Sequence, residues 1–452
     1  MKLSVRFLTS SLSVLALTMA GVAQTNDPVA AAALASGTAG YGDVGPIDIN
    51  QVSQVTITSD VVFDATTGLV ENNAAGGQGP GPGSSARAVR SNTSTIDGMD
   101  GLVTFDGAFI TQAGPSLGRL FRFTMMGNHP LVGGTTHIPA PIATVSLNLL
   151  NPDGALFATV PFAPFESLTL QSPNFNFINY RSGNQIQYAD AIHRAQFYNR
   201  MAPNWNTTLV PNIVDRVTFT IPKFVNVRLA NGNVVQALGY ASGTAPDGSR
   251  FVLMLDLLFN SLFSSGFINE INNGTFTTDA LSTLMLPNTF LYSFNANKPL
   301  TPGSCCVLGF HTYFRDLSAV PQPRFVGEYA SWISPGLFGG GFQDVTALSH
   351  EITEAFADPF VDNATASWQF AGVPATSKTC QANLEEGDPI ETLPVASIPI
   401  TIKEKGQPFI YHPQVIPLLQ WFEMGPTSNA IDGAFSFPDE STLPHSAIPC
   451  PK

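Results

Sequence analysis

The sequence predicts an α+β protein: a mixed β-sheet with one site-bearing helix, preceded by a β-rich region. Three observations carry this. From about Gly101 to Ile333 the chain is rich in strand-like segments, of which Val217–Leu229 and Val234–Ala241 alternate at the period of a strand. One stretch, Asp344–Pro359 (DVTALSHEITEAFADP), has the period of a helix. The apolar share is 44% against 12% charged residues, which gives a chain of 452 residues ample material for a sizeable core.

Taken in order, Met1–Ala23 reads as a secretory signal, with Lys2 and Arg6 ahead of an apolar run and Gly21-Val22-Ala23 as a small-residue cleavage site. Residues 24–100 read as a low-complexity surface extension. Within it Gln54–Phe63 is strand-like and Asn73–Ser85 (NAAGGQGPGPGSS) is a linker. Residues 101–240 form the β-rich N-terminal part of the main domain, with strands expected at Leu102–Ile110, Ala143–Leu150 and Leu156–Phe162. The Asn151-Pro-Asp-Gly154 turn joins the last two. Gln187–Met201 has helical spacing and includes His193, expected at the surface or as a cap. Val217–Leu229 and Val234–Ala241 flank Asn231-Gly232, a hairpin signal.

Residues 241–452 carry the expected site. Phe251–Ile271 reads as a helix and Leu284–Phe294 as extended. Cys306–Phe314 and Phe325–Ile333 read as strands, and a glycine-rich turn at Gly336–Gly341 leads into Asp344–Pro359. On a helical wheel Val345, Leu348, Ile352, Ala355 and Phe356 share an arc of about 100°. His350, Glu351, Glu354 and Asp358 share another. Asp344 is expected to cap the start, and Pro359 to end the helix by restricting the residue before it.

The imidazole and carboxylates on one face form H-E-x-x-E, the metal-binding pattern of a zincin-like helix with Glu354 where the second histidine usually stands. His350 and Glu354, one turn apart, can chelate one ion, and Glu351 is placed as a general base. A third ligand must come from elsewhere. Asn383–Pro389 offers Glu385, with Glu386 as the fallback and Asp388 orienting a ligand; Asp358 takes a similar supporting role. His311 is the candidate group for polarising a substrate. Zinc leads as the cation for this donor set, with manganese, iron or calcium also compatible.

A net charge of −13 and the absence of any Lys/Arg cluster argue against nucleic acid as a partner. Cys305, Cys306, Cys380 and Cys450 are disulfide candidates in an exported chain, with three possible pairings. Each of the adjacent cysteines is expected to reach a separate partner. No C-x-x-C spacing favours a zinc site among them.

The ordered series Cys306-x-x-Gly309-Phe-His311, then Ser349-His350-Glu351-x-x-Glu354-Ala355-x-x-Asp358-Pro359, then Trp368, then Glu385-x-Gly387-Asp388, resembles secreted bacterial proteins related to the plant phosphate-induced/exordium family. The resemblance spans roughly Gln187–Trp421. It departs at Phe310, where the family has Tyr, at Glu386, where it has an apolar residue, and in lacking a Cys after Asp388. It implies a secreted zincin-like domain with its site at His350, Glu351, Glu354 and Glu385 and with His311 and Asp388 nearby. The function expected is that of a secreted or periplasmic metal-dependent hydrolase, a zinc metallopeptidase-like protein acting on extracellular peptide or protein. The alternative is a non-catalytic cell-surface protein with a structural ion in the same site. No integral membrane segment is expected after signal cleavage.

Overall fold

A computed structural model describes residues 28–36, 44–52, 57, 61–66, 70–71, 101–179, 185–198, 200–393, 396–404, 407–426 and 442–450. The expected signal segment and the Asn73–Ser85 linker lie outside the described residues.

The chain is a mixed α+β structure built mostly of strands. Its central sheet contains β1 (Ile47–Asp48), β2 (Thr135–Leu150), β3 (Leu156–Val160), β4 (Asn206–Ile221), β5 (Leu281–Pro287), β6 (Gly309–Arg315) and β7 (Arg324–Trp332). The order is β1-β6-β7-β5-β2-β4, and β3 pairs antiparallel with the end of β2. β6 and β7 are antiparallel; β7, β5, β2 and β4 run parallel. The β5–β2 pairing unites the stretches before and after residue 240 in one sheet.

Both faces of this sheet are covered, so its inner strands read as almost continuous buried runs rather than alternating ones. Helix α1 spans Tyr188–Gln196, α2 Asp256–Asn272 and α3 Thr346–Ala357. Phe259, Phe263 and Phe267 recur every fourth residue of α2 and therefore share one face. They meet Phe310, Phe314 and Tyr329 of the sheet, with Phe267 stacked on Phe314 at 4.1 Å. Gly327 is required under Phe267, because a Cβ there would come within 2.2 Å of the ring. The abundance of Phe thus becomes an aromatic layer. The opposite face of β6 and β7 receives α3, and α1 packs on α3 in turn.

Several expectations need correction. The region 24–100 is no mere extension: β1 pairs with β6, Val62–Asp64 pairs with Phe224–Arg228, and Ala30 and Phe63 are buried in the core. Its short apolar stretches are completed by partners far away in sequence. Phe251–Leu255 belongs to a strand, Arg250–Leu255, before α2 begins, since it runs parallel to Thr289–Tyr292 in a second sheet. The Asn231-Gly232 hairpin forms as expected, with Gly232 at φ +87°. Cys305 and Cys306 are bonded to each other, and Cys380 to Cys450. The latter two Cα atoms lie 5.4 Å apart, ordinary bridging distance, so each adjacent cysteine is left only its neighbour. Among the described residues no helix is long and apolar enough to cross a membrane.

Candidate metal centre

Every residue of α3 is buried, including the face that carries its charges. The helix does not start on an Asp344 cap. Val345 occupies that position without a side-chain bond, while Asp344, at φ +45°, accepts from the amides of Val345 and His412 and lies 2.7 Å from His412 Nδ1. Asp344 therefore ties the 412–414 loop to the helix entrance. At the other end, Asp358 leaves the helix and its carboxylate accepts from the amides of Asp362 and Asn363.

His350, Glu351, Glu354, His311, Glu385 and Asp388 come together at 0 to 4% exposure. They form two overlapping triads. In one, His350 Nε2 lies 2.9 Å from Glu354 Oε2 and 3.5 Å from Asp388 Oδ1. In the other, His311 Nδ1 lies 3.5 Å from Glu351 Oε2 and 3.6 Å from the same Glu354 Oε2. Glu385 stands behind His311, 3.8 Å from Nε2. The third member beside His350 and Glu354 is thus Asp388, where Glu385 had been expected. The short 388–390 helical turn aims Asp388 inward, and Gln381 Nε2 holds its other oxygen at 3.0 Å. Glu386 turns away to accept from Gln196 of α1 at 2.9 Å.

The rings are oriented from behind. His350 Nδ1 lies 3.0 Å from Gln414 Oε1, and the Gln414 amide donates to Gly387 O at 2.8 Å. That chain makes Nδ1 the N–H and turns Nε2 toward Glu354 and Asp388. His311 Nε2 lies 3.1 Å from the Asp358 carbonyl, which accepts its N–H and turns Nδ1 toward Glu351 and Glu354. A carbonyl or amide oxygen behind each imidazole is how metal-ligating histidines are held. Two glycines create the space: a Cβ at Gly387 would lie 2.3 Å from His350 Nδ1, and one at Gly309 would lie 2.5 Å from Glu351 Oε1.

The electrostatics call for a positive charge. Burial alone lowers a histidine, but the carboxylates beside His350 and His311 outweigh it and raise both well above the usual range. Burial pushes Glu351 up to about 7 although both imidazoles oppose it. Burial also works against Glu354, yet His350 and His311 bring it down to about 2. Neither oxygen of Glu351 accepts a hydrogen bond. Such a cluster is satisfied by protons shared among its members or by a cation.

Two participants escaped sequence reasoning. Glu328 of β7 is fully buried directly opposite His311, accepts from Thr283 Oγ1 at 2.7 Å, and is pushed up to about 8 by burial. A lone carboxylate in the apolar run FVGEYASWI was its signal. Gln414, in HPQVIP, carried none. His193 is fully buried in an aromatic pocket rather than at the surface.

No protein-family model matches the chain, and neither a curated protein nor a solved structure matches it.

Proposed function

We propose that this chain is an exported metalloprotein whose α3 cluster holds a divalent cation that ties the helix, strand β6 and the 385–388 loop together. One observation carries the reading. Each imidazole has its N–H committed to an oxygen outside the cluster, so its second nitrogen faces carboxylate oxygens within a fully buried site. A cation between them removes the repulsion that makes unpaired buried carboxylates costly. Imidazole mixed with carboxylate suits zinc, manganese and iron(II). The Cys380–Cys450 bridge lies one residue before Gln381, which holds Asp388, and so braces the loop that completes the site.

Burial ranks the structural role above catalysis. Hydrolysis of an extracellular peptide requires the scissile bond to reach Glu351, and Glu351 is fully enclosed. The metallopeptidase-like reading keeps one specific support: Glu351 follows His350 on the same helix and its carboxylate oxygens are uncommitted, as a general base requires. The zincin-like label for the sheet and helix, and the kinship with the exordium family, belong to this proposal and rest on the motif series. The acidic, signal-bearing sequence favours a site of action outside the cytoplasm.

Elemental analysis of the purified full chain tests the proposal. A stoichiometric divalent metal whose content falls in His350→Ala is expected; a metal-free native protein, or undiminished metal in that variant, overturns it. Cleavage of mixed peptides by the wild type but not by Glu351→Gln, with metal retained in both, would reverse the ranking toward hydrolase.

A further inference from the structure

We infer that the centre is dinuclear, with Glu354 bridging two divalent cations through Oε2. The inference rests on the metal-centre reading above and adds its nuclearity. The two triads share one atom and differ in every other member: Asp388 joins His350, and Glu351 joins His311. Glu354 Oε2 lies 2.9 Å from the first imidazole nitrogen and 3.6 Å from the second. These separations suit ligands of one ion at bond lengths of about 2.0–2.2 Å. An ion held by one triad leaves the other imidazole nitrogen facing carboxylate oxygens with nothing positive between them.

The remaining Glu354 oxygen is already occupied, because Oε1 accepts the Gly387 amide at 2.9 Å. That bond pins the carboxylate so that Oε2 alone points at both rings. Glu351 supplies the independent observation. It is fully buried, its two oxygens accept no hydrogen bond, and Oε2 faces the nitrogen of His311. A single ion in the His350 triad would not account for it.

Charge agrees with two ions. When ionised, Glu351, Glu354, Glu385 and Asp388 carry four formal negative charges around two imidazoles, at 0 to 3% exposure. Two divalent cations balance them with both rings neutral; one leaves half uncompensated. The cations implied are those that accept mixed nitrogen and oxygen donors, such as manganese, iron(II) or zinc.

The test is the full chain produced with Mn²⁺ as the sole supplemented divalent cation, read by elemental analysis and electron paramagnetic resonance. Two Mn²⁺ per chain with an exchange-coupled spectrum are expected. His311→Ala and Asp388→Asn should each lower the content to one and restore the six-line signal of an isolated ion, with circular dichroism reporting that each variant is folded. One Mn²⁺ per chain in the wild type overturns the inference and leaves the metal centre standing. Two uncoupled ions overturn the bridge, and so does a His311→Ala protein that retains two. A chain that binds none overturns both this inference and the metal-centre reading.

Discussion

Two buried-histidine neighbourhoods both include residues of α3, and they ionise in opposite directions. His193, on α1, is enclosed by the rings of Phe105, Phe197, Trp205 and Phe356, the last of these on α3 itself. Its one hydrogen bond runs to the Met126 carbonyl, and burial takes it down to about 3. His350 is equally buried, yet its carboxylate neighbours raise it well above the usual value. Burial is common to both and so explains neither site's character. The difference lies in what fills the wall: aromatic edges need no charge, whereas carboxylates demand one. The first is a packing device and the second the proposed cation site.

The same substitution at both positions should break that comparison or sharpen it most. His350→Phe removes the partner of Glu354 and Asp388 and leaves buried carboxylates uncompensated, a loss of about 3–5 kcal/mol. His193→Phe keeps the aromatic packing and forfeits one hydrogen bond, about 1 kcal/mol. Urea unfolding of the two variants checks this, and equal costs would erase the distinction. Chelation should separate them again. Free cation at a hundredfold excess over its dissociation constant stabilises by about 2.7 kcal/mol. EDTA should therefore lower the Tm of the wild type and of His193→Phe by more than that of His350→Phe.

How far these neighbourhoods could be read in advance differs for physical reasons. The helix was legible because its period places His350, Glu351, Glu354 and Asp358 on one side whatever surrounds them. The 385–388 loop was legible as a source of carboxylates. The choice of Asp388 over Glu385 was not, because it depends on a short helical turn and on Gln381, which no periodicity encodes. His193 looked ordinary because the rings that bury it come from strands and loops far away in sequence. The strands of residues 44–71 were hidden for a similar reason: two- and three-residue pieces become strands only when β6 or Phe224–Arg228 is there to pair with them. Among the central-sheet strands, β7 was read nearly to its ends, since continuous buried runs bounded by turns survive loss of context. The expected Cys306–Phe314 strand merged β6 with Cys305–Val307, which pairs with Thr289–Tyr292 in the second sheet.

Acid sharpens the contrast from the other neighbourhood. The folded value of His193 is about 3, below the ordinary 6.5 of the unfolded chain. The unfolded state thus takes up the proton first. The contribution is fully present above pH 6.5 and is lost as pH falls toward 3. The slope is at most about 1.4 kcal/mol per pH unit. In His193→Phe that component is absent, so the difference in unfolding free energy between variant and wild type should move in the variant's favour from pH 6.5 to 4. A constant difference across that range would mean that His193 is already charged in the fold.

The smallest effect tests where the charged neighbourhood ends. Glu386 follows Glu385 in the chain but faces α1, where Oε2 accepts from Gln196 and Oε1 accepts nothing. Burial and the nearby Glu354 charge raise it well above an ordinary carboxyl, which favours its neutral form. Glu386→Gln keeps the shape while exchanging a carboxyl for a neutral amide. It should change stability by no more than about 0.5 kcal/mol and leave the metal content untouched. Urea unfolding with elemental analysis checks both. A loss of several kcal/mol, or of metal, would show that Glu386 is ionised and belongs to the charge the proposed cations balance. The boundary between cation site and neutral packing would then fall on α1, beside His193 itself, instead of within the 385–388 loop.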